Sequence, residues 1–171
     1  RNLEVRTTAQ TAGRVLITAA AALKNFTLDN VQVVQNGNYD NSYGLQFNGG
    51  AVTDVTIKNC VFAGGGTSAA TYNMQPVGYQ RTATRLLVDN CRTSNSNISV
   101  TIRGDAAVGD IIFKHNIFNG TLYALENLVS ASVTQAVDSY GNSFLGGSGG
   151  GALRFSTSGA GQIITFNSYG D

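Results

Sequence analysis

The amino-acid sequence predicts an all-β protein: a parallel β-helix of about six coils in a single domain over residues 1–171. A short segment recurs along the chain, and its copies begin at residues 26, 55, 86, 111, 138 and 164. Each copy opens with alternating apolar and polar residues rich in β-branched and aromatic types, which is typical of a strand with one buried face. Helical periodicity is absent, and a regular repeat of this length indicates a stacked solenoid.

The first strand of each copy is expected to bury its third residue, where a large apolar side chain would stack on the same position of the next coil. This column consists of Leu28, Ile57, Val88, Phe113, Tyr140 and Phe166. A bend is expected two residues later, because asparagine tolerates the left-handed backbone conformation. The predicted bend residues are Asn30, Asn59, Asn90, His115 and Asn142.

The second strand follows the bend and contributes another apolar column at the eighth position. Its members are Val33, Phe62, Thr93, Phe118 and Leu145. A third strand is expected before the next copy, at residues 43–48, 97–103, 122–126 and 152–156. Three short strands in each turn predict a parallel β-helix.

The composition limits the possible functions. The chain has 171 residues, 42% hydrophobic and 12% charged, which suffices for one buried core. Its formal net charge of +1 leaves no basic surplus for a phosphate backbone or a polybasic membrane anchor. The longest uncharged apolar run, residues 15–23, is far shorter than the roughly 18 residues of a transmembrane helix. We therefore expect no nucleic-acid binding and no membrane insertion. Because the sequence begins with Arg1, we expect a processed product or a segment of a longer chain.

The recurrent apolar-x-apolar-x-Asn-x-x-apolar coils, such as residues 55–62, resemble the right-handed β-helix of the pectin-lyase-like superfamily. This superfamily includes polysaccharide lyases, pectin hydrolases, alginate epimerases and phage tailspikes. The resemblance covers nearly the whole chain and is one of coil pattern, without the catalytic signature of any one member. It implies a single-stranded, right-handed solenoid in an extracellular or virion-surface protein, and tailspike-like helices associate as homotrimers or in larger virion assemblies.

The outward side of the second strand is a candidate trimer surface. If the strand parity continues after the bend, the seventh position points outward, and an outward apolar stripe is typical of a partner surface. The stripe would consist of Val61, Arg92, Ile117 and Phe144. A shift of one residue would turn it inward.

The third strand carries the candidate catalytic residues. Arg103, Glu126 and Arg154 stand at roughly corresponding places in successive turns, and Asp105 lies just beyond Arg103. If they align, a carboxylate lies among guanidinium groups on an exposed sheet, where it could bind an anionic sugar or abstract a proton next to a uronate. The alternative is a solvated charge ladder with a structural role, because ionisable networks also occur without function.

The longest intervals between strands carry the candidate substrate-binding residues. They leave successive turns and are rich in tyrosine and amide side chains, which suit the C–H faces and hydroxyl groups of sugars. The candidates are Tyr39, Tyr43, Tyr72, Asn73, Tyr79 and Arg81. The alternative is that long polar loops are insertions that a solenoid tolerates.

Other potential sites have structural interpretations. Cys60 and Cys91 share the sixth position of neighbouring coils, where we expect two small side chains stacked in the core and not a disulfide or redox pair. His115 is the single histidine and occupies a bend, so we expect no metal site and no cofactor. Two columns of alternating charge are expected to form cross-strand pairs: Asp29, Lys58, Asp89 and Lys114, and Asn25, Asp54, Arg85 and Asp110.

The sequence therefore predicts a β-helix domain of tailspike type that binds a surface polysaccharide, with depolymerisation left open. One alternative is a non-enzymatic structural virion protein, either a decoration or a fibre segment. The second alternative is a free-standing polysaccharide lyase or glycoside hydrolase.

Overall fold

The computed structural model describes residues 3–6, 15–19, 21–35, 42–64, 71–78, 81–103, 108–129, 134–148, 151–157 and 163–171. These residues form three parallel β-sheets and include no helix. The first sheet contains β1 (Leu3–Arg6), β4 (Val31–Val34), β7 (Val61–Ala63), β10 (Arg92–Ser94), β13 (Ile117–Gly120) and β16 (Ser143–Gly146). The second contains β2 (Val15–Ala19), β5 (Ser42–Phe47), β8 (Thr71–Val77), β11 (Ile98–Ile102), β14 (Tyr123–Val129) and β17 (Leu153–Thr157). The third contains β3 (Leu23–Asp29), β6 (Val52–Lys58), β9 (Ala83–Asp89), β12 (Val108–Lys114), β15 (Thr134–Tyr140) and β18 (Ile163–Tyr169).

The chain passes through the three sheets in rotation, and each strand pairs in parallel with the strand of the same sheet in the next coil. The prediction of an all-β parallel solenoid is therefore confirmed. Over the described residues each sheet has six strands, so four coils are stacked between two others and two have one neighbour. The four coils that have a neighbour on each side are fewer than the total of about six coils that the sequence predicted.

The bends between the third and first sheets follow the asparagine pattern. Asn30, Asn59, Asn90 and His115 have φ values of 57°, 54°, 50° and 52°, as predicted. In the next coil the bend is at Gly141, with φ of 59°, and not at the predicted Asn142. Glycine adopts positive φ without steric cost, so the chain turns one residue earlier there.

This earlier bend changes the register of the last two copies. Ser139, and not Tyr140, pairs with Phe113, and Phe166 pairs with Val137 at the first position of the repeat. Phe144 pairs with Phe118 and packs against the core, whereas Leu145 is 48% exposed. The predictions that Tyr140 and Leu145 belong to the buried columns are therefore wrong. The seventh position is occupied by Ser143 and not by Phe144, so the outward stripe is less apolar than predicted.

A second bend inside the third sheet escaped the sequence analysis. Asn25, Asp54, Arg85 and Asp110 all have φ between 53° and 55°. The charges at this position also form the predicted cross-strand pair, because Arg85 donates to both carboxylate oxygens of Asp54, from Nη2 to Oδ2 at 2.8 Å. In the other charged column Lys58 pairs with Asp29 at 3.2 Å, while Asp89 contacts His115.

The interior is filled by one apolar cluster drawn from all three sheets. Its fully buried members include Val33, Phe62, Phe118, Leu45, Met74, Val100, Leu125, Ile57, Val88 and Phe113. A buried polar column continues this core at the sixth position of the repeat, directly after the bend between the third and first sheets. Cys91 N donates to Asn116 Oδ1 at 2.8 Å, and Asn116 N donates to Asn142 Oδ1 at 2.9 Å. The side-chain amides of Asn116 and Asn142 satisfy backbone groups that would otherwise be buried without a partner.

Candidate functional site

The predicted catalytic residues meet on the second sheet. Glu126 lies in the middle of β14, where it pairs with Thr101 of β11 on one side and with Arg154 of β17 on the other. Arg103 follows the end of β11, two residues beyond Thr101. The side chains of Arg103, Glu126 and Arg154 nevertheless converge, so the sequence correctly predicted their proximity. Asp105 lies outside the described residues.

The Glu126 carboxylate is fully engaged. Oε1 accepts a hydrogen bond from Arg154 Nη1 at 2.9 Å, and Oε2 accepts one from Thr101 Oγ1 at 3.1 Å. Arg103 Nη2 lies 3.8 Å from Oε2. The residue is only 2% exposed, so the expectation of a carboxylate on an exposed face is wrong. Burial is tolerated because both oxygens accept hydrogen bonds, one of them from a charged donor, and Arg103 adds a longer ion pair.

Two tyrosines extend this cluster along the sheet. Tyr43 and Tyr72 stack with ring centroids 4.7 Å apart and planes inclined by 6°. Arg103 donates from Nη2 to the Tyr72 hydroxyl at 3.1 Å, and its guanidinium lies 5.6 Å from the ring centroid. Both rings are buried, and burial raises the pKa of both hydroxyls. The rings are therefore covered by each other and by Arg103, and they do not offer open faces to a sugar.

The orientation of Gly44 in β5 shows why these tyrosines lie outside the main core. A Cβ atom added to Gly44 would lie 3.4 Å from side-chain atoms of Phe62 and Val33, so Gly44 faces the interior. The preceding Tyr43 then faces away from it. Tyr43, Tyr72 and Ile98 form a small cluster separate from the main core.

This surface has further members that the sequence pattern did not indicate. Tyr123 lies beneath the guanidinium of Arg154, 5.3 Å from ring centroid to Cζ. On neighbouring strands, Gln46 Nε2 donates to Gln75 Oε1 at 2.8 Å. The alternation of Gln46 with the buried Leu45 and Phe47 is a signal that could have located it.

The other predicted binding residues are not brought into this cluster. Asn73 is buried and donates to Ser96 Oγ at 2.8 Å and to Ser94 O at 3.1 Å. Arg81 donates from Nε to the carbonyl oxygen of Asn48 at 3.0 Å. Tyr39 and Tyr79 lie outside the described residues.

The cluster presents positive charge to solvent. The side chains of Arg103 and Arg154 are 31% and 44% exposed, whereas the single carboxylate between them is buried. Arg103 Nε is buried and has no hydrogen-bond partner. We name the group Arg103, Glu126, Arg154, Tyr72 and Tyr123 the arginine cluster. Its two guanidinium groups and one carboxylate leave a local excess of one positive charge, which suits an anionic ligand.

No protein family, curated protein or solved structure matches this chain. Over the described ranges no group of three or more His, Cys, Asp or Glu side chains could hold a metal ion. Within the same residues no helix has the length and hydropathy needed to span a membrane. The arginine cluster is therefore the candidate site on which a functional proposal can be based.

Proposed function

We propose that the protein is an extracellular or virion-surface β-solenoid that binds an acidic surface polysaccharide, with Arg103 and Arg154 as its anion contacts. The observation that carries the proposal is the pair of partly exposed guanidinium groups around one buried carboxylate. Guanidinium groups bind carboxylates and sulfates through paired hydrogen bonds, and each of these two is also oriented by a tyrosine ring.

The geometry favours binding over cleavage. A general acid or base must come within hydrogen-bond distance of the substrate proton. The carboxylate of Glu126 is buried and both oxygens already accept hydrogen bonds from Thr101 and Arg154. Glu126 is therefore better suited to positioning the two arginines than to proton transfer. The catalytic roles predicted for Arg103, Glu126, Arg154 and Asp105 stay predictions.

The surface location and the kind of ligand gain support from the resemblance of the coil pattern to pectin-lyase-like β-helices, among them phage tailspikes. The predicted right-handedness of the coil and the assembly as a homotrimer or in a larger virion structure rest on that resemblance alone. Binding of a surface glycan is the function that the resemblance and the charge of the arginine cluster support together.

The experiment compares acidic and neutral polysaccharides at several salt concentrations. Polygalacturonate, alginate and a sulfated glycan are expected to bind, with an affinity that falls as salt rises, whereas dextran is not. Arg154→Gln is expected to weaken binding about tenfold or more, because one charge-assisted hydrogen bond contributes about 1.5–3 kcal/mol. Arg92→Gln is the matched control, since Arg92 is exposed on the first sheet.

Equal binding of dextran, or an Arg154→Gln variant that binds as tightly as the unaltered protein, would contradict the proposal. New reducing ends or unsaturated uronates during the incubation would favour the lyase or hydrolase alternative. Loss of that cleavage with retained binding in Glu126→Gln would then assign catalysis to Glu126.

A non-enzymatic structural role is the second candidate. It is favoured by one observation: the hydrogen bonds of Glu126 and the stacking of Tyr72 are complete without a ligand. Under this alternative no polysaccharide of the panel binds, and the arginine cluster serves only to hold neighbouring coils together.

A further inference from the structure

The two cysteines of the chain occupy one column of the interior on adjacent coils. The residues on either side fix their register, because Lys58 pairs with Asp89 and Val61 pairs with Arg92. Arg92 N also donates to the carbonyl oxygen of Cys60 at 2.9 Å. Cys60 and Cys91 are therefore separated by one strand spacing, about 4.8 Å between Cα atoms. Disulfides bridge Cα atoms about 4.4–6.8 Å apart, so the backbone spacing suits a bridge.

Both thiols point into the same buried space. Each side chain is fully buried, and each sulfur is a free thiol in this structure. The sequence-based expectation of two small side chains stacked in the core is thus confirmed. The sulfurs make only weak hydrogen bonds to backbone carbonyl groups, from Cys60 Sγ to Lys58 O at 3.1 Å and from Cys91 Sγ to Asp89 O at 3.4 Å. No strong interaction would be lost if the two sulfurs turned toward each other.

The two thiols also affect each other's ionisation. The neighbouring Cys91 thiol lowers the pKa of Cys60, although burial opposes this shift. The Cys60 thiol in turn raises the pKa of Cys91, and burial adds to this effect. The nucleophile in disulfide exchange is a thiolate, and the direction of these shifts favours Cys60 as the sulfur that supplies it.

We propose that Cys60 and Cys91 form a disulfide between neighbouring coils when the chain folds in the presence of a low-molecular-weight disulfide such as oxidised glutathione. Because both thiols are buried in the folded protein, the exchange begins before these coils have closed. The Cys60 thiolate attacks one glutathione sulfur and releases a glutathione thiolate, which leaves a mixed disulfide on Cys60. Cys91 gives its proton to the released thiolate and attacks the Cys60 sulfur, and the second glutathione leaves as a thiolate that takes up the proton Cys60 had released to solvent. Two protein thiols are oxidised and one glutathione disulfide is reduced to two thiols.

The bridge would lock together two coils of the solenoid. Bridging Cys60 to Cys91 closes a loop that contains β8, and β8 carries Tyr72 of the arginine cluster. Stacked Cβ atoms lie near the strand spacing, whereas disulfide Cβ atoms average about 3.8 Å apart, so the coils must approach by up to about 1 Å. This small distortion makes the bridge more easily reduced than a relaxed structural disulfide.

The test equilibrates the protein with oxidised and reduced glutathione in two ways, as the folded protein and during refolding from urea. Refolding exposes both thiols, so burial cannot prevent the reaction. After refolding we expect the thiol titration of the denatured product to fall to zero, and peptide mapping without reductant to recover residues 60 and 91 in one linked pair. The protein that stays folded is expected to react more slowly, because both thiols are buried. The oxidised protein is expected to unfold roughly 5–15 °C higher than the reduced protein, and dithiothreitol should reverse this shift.

Cys60→Ser and Cys91→Ser are the matched variants, and neither should show the shift under the same conditions. Two free thiols after refolding in oxidised glutathione would overturn the proposal. So would glutathione retained on a single cysteine, or a bridge between two chains seen as a dimer on a gel without reductant.

Discussion

Replacing Glu126 by glutamine tests the arginine cluster most directly. The substitution keeps the shape of the side chain and removes its charge. One carboxylate oxygen becomes an amide nitrogen, from which the Thr101 hydroxyl can accept a hydrogen bond while the remaining oxygen still accepts from Arg154. Both arginines nevertheless lose their counter-charge, and the amide nitrogen then lies on the side of Arg103. We therefore expect Glu126→Gln to lower the free energy of unfolding.

The contacts set the size of the effect. A charge-assisted hydrogen bond contributes about 1.5–3 kcal/mol, and the lower figure applies to Arg154 because that side chain is 44% exposed. The bond from Arg154 to a neutral amide oxygen retains about 1 kcal/mol of this, and the longer ion pair with Arg103, which is lost, contributes about 0.5 kcal/mol. The expected loss is therefore about 1 kcal/mol. For a chain of this length that loss lowers Tm by about 2–4 °C.

Thermal unfolding followed by circular dichroism at neutral pH measures the shift, and urea unfolding gives the free energy. Glu4→Gln is the matched control, because Glu4 is 46% exposed and pairs with the nearby Arg6. The control should change Tm by less than about 1 °C. A Glu126→Gln variant that unfolds within about 1 °C of the unaltered protein would refute the reasoning, since a buried and doubly paired carboxylate cannot be replaced without cost.

Three further predictions concern buried polar groups and acid stability. Asn127→Leu should raise the free energy of unfolding by about 1–2 kcal/mol in urea titrations, because both side-chain amide atoms are buried without a partner; an unchanged or lower midpoint would contradict this. Asn116→Ala should lower it by about 3 kcal/mol in the same titrations, since Cys91 N and the Val88 carbonyl lose their partner; a loss below about 1 kcal/mol would contradict this. The hydrogen bond from Arg85 holds the pKa of Asp54 below its ordinary value of 3.8. The unfolded chain therefore takes up this proton first, and the stabilisation is present above pH 3.8 and lost as the pH falls through the lower folded pKa. Asp54→Asn should accordingly flatten the fall of Tm between about pH 4 and pH 2, and an unchanged slope would contradict this.

The repeat and the positive-φ bends could be predicted because they depend on local sequence. Asn30, Asn59 and Asn90 bend where the pattern places them, and their φ values are nearly identical. The fifth copy was misaligned because Gly141 and Asn142 are adjacent and both residue types tolerate that conformation. A local pattern cannot choose between them. The choice depends on the buried amide of Asn142, which accepts a hydrogen bond from Asn116 of the preceding coil.

The meeting of Arg103, Glu126 and Arg154 was predictable from their places in successive turns, but the burial of the carboxylate was not. Burial depends on side chains from several coils at once, including the Tyr72 ring beneath Arg103. Tyr43 and Tyr72 do not offer the open ring faces expected for sugar stacking, because they stack on each other. Sequence position predicts which strands are neighbours, whereas the exposure of a side chain depends on the size and direction of everything packed around it.

The order in which the chain passes through the three sheets also determines how the molecule unfolds. In the part of the chain that the structure describes, each strand pairs with the strands of the coils before and after it, so the free energy of unfolding is approximately a sum over neighbouring coils. Coils with a single neighbour open first, and amide protons there exchange faster than those of the enclosed coils. Glu126 accepts hydrogen bonds from strands in the coils on both of its sides. The arginine cluster therefore links three consecutive coils through their side chains. We expect this link to slow the spread of unfolding from the end coils along the second sheet.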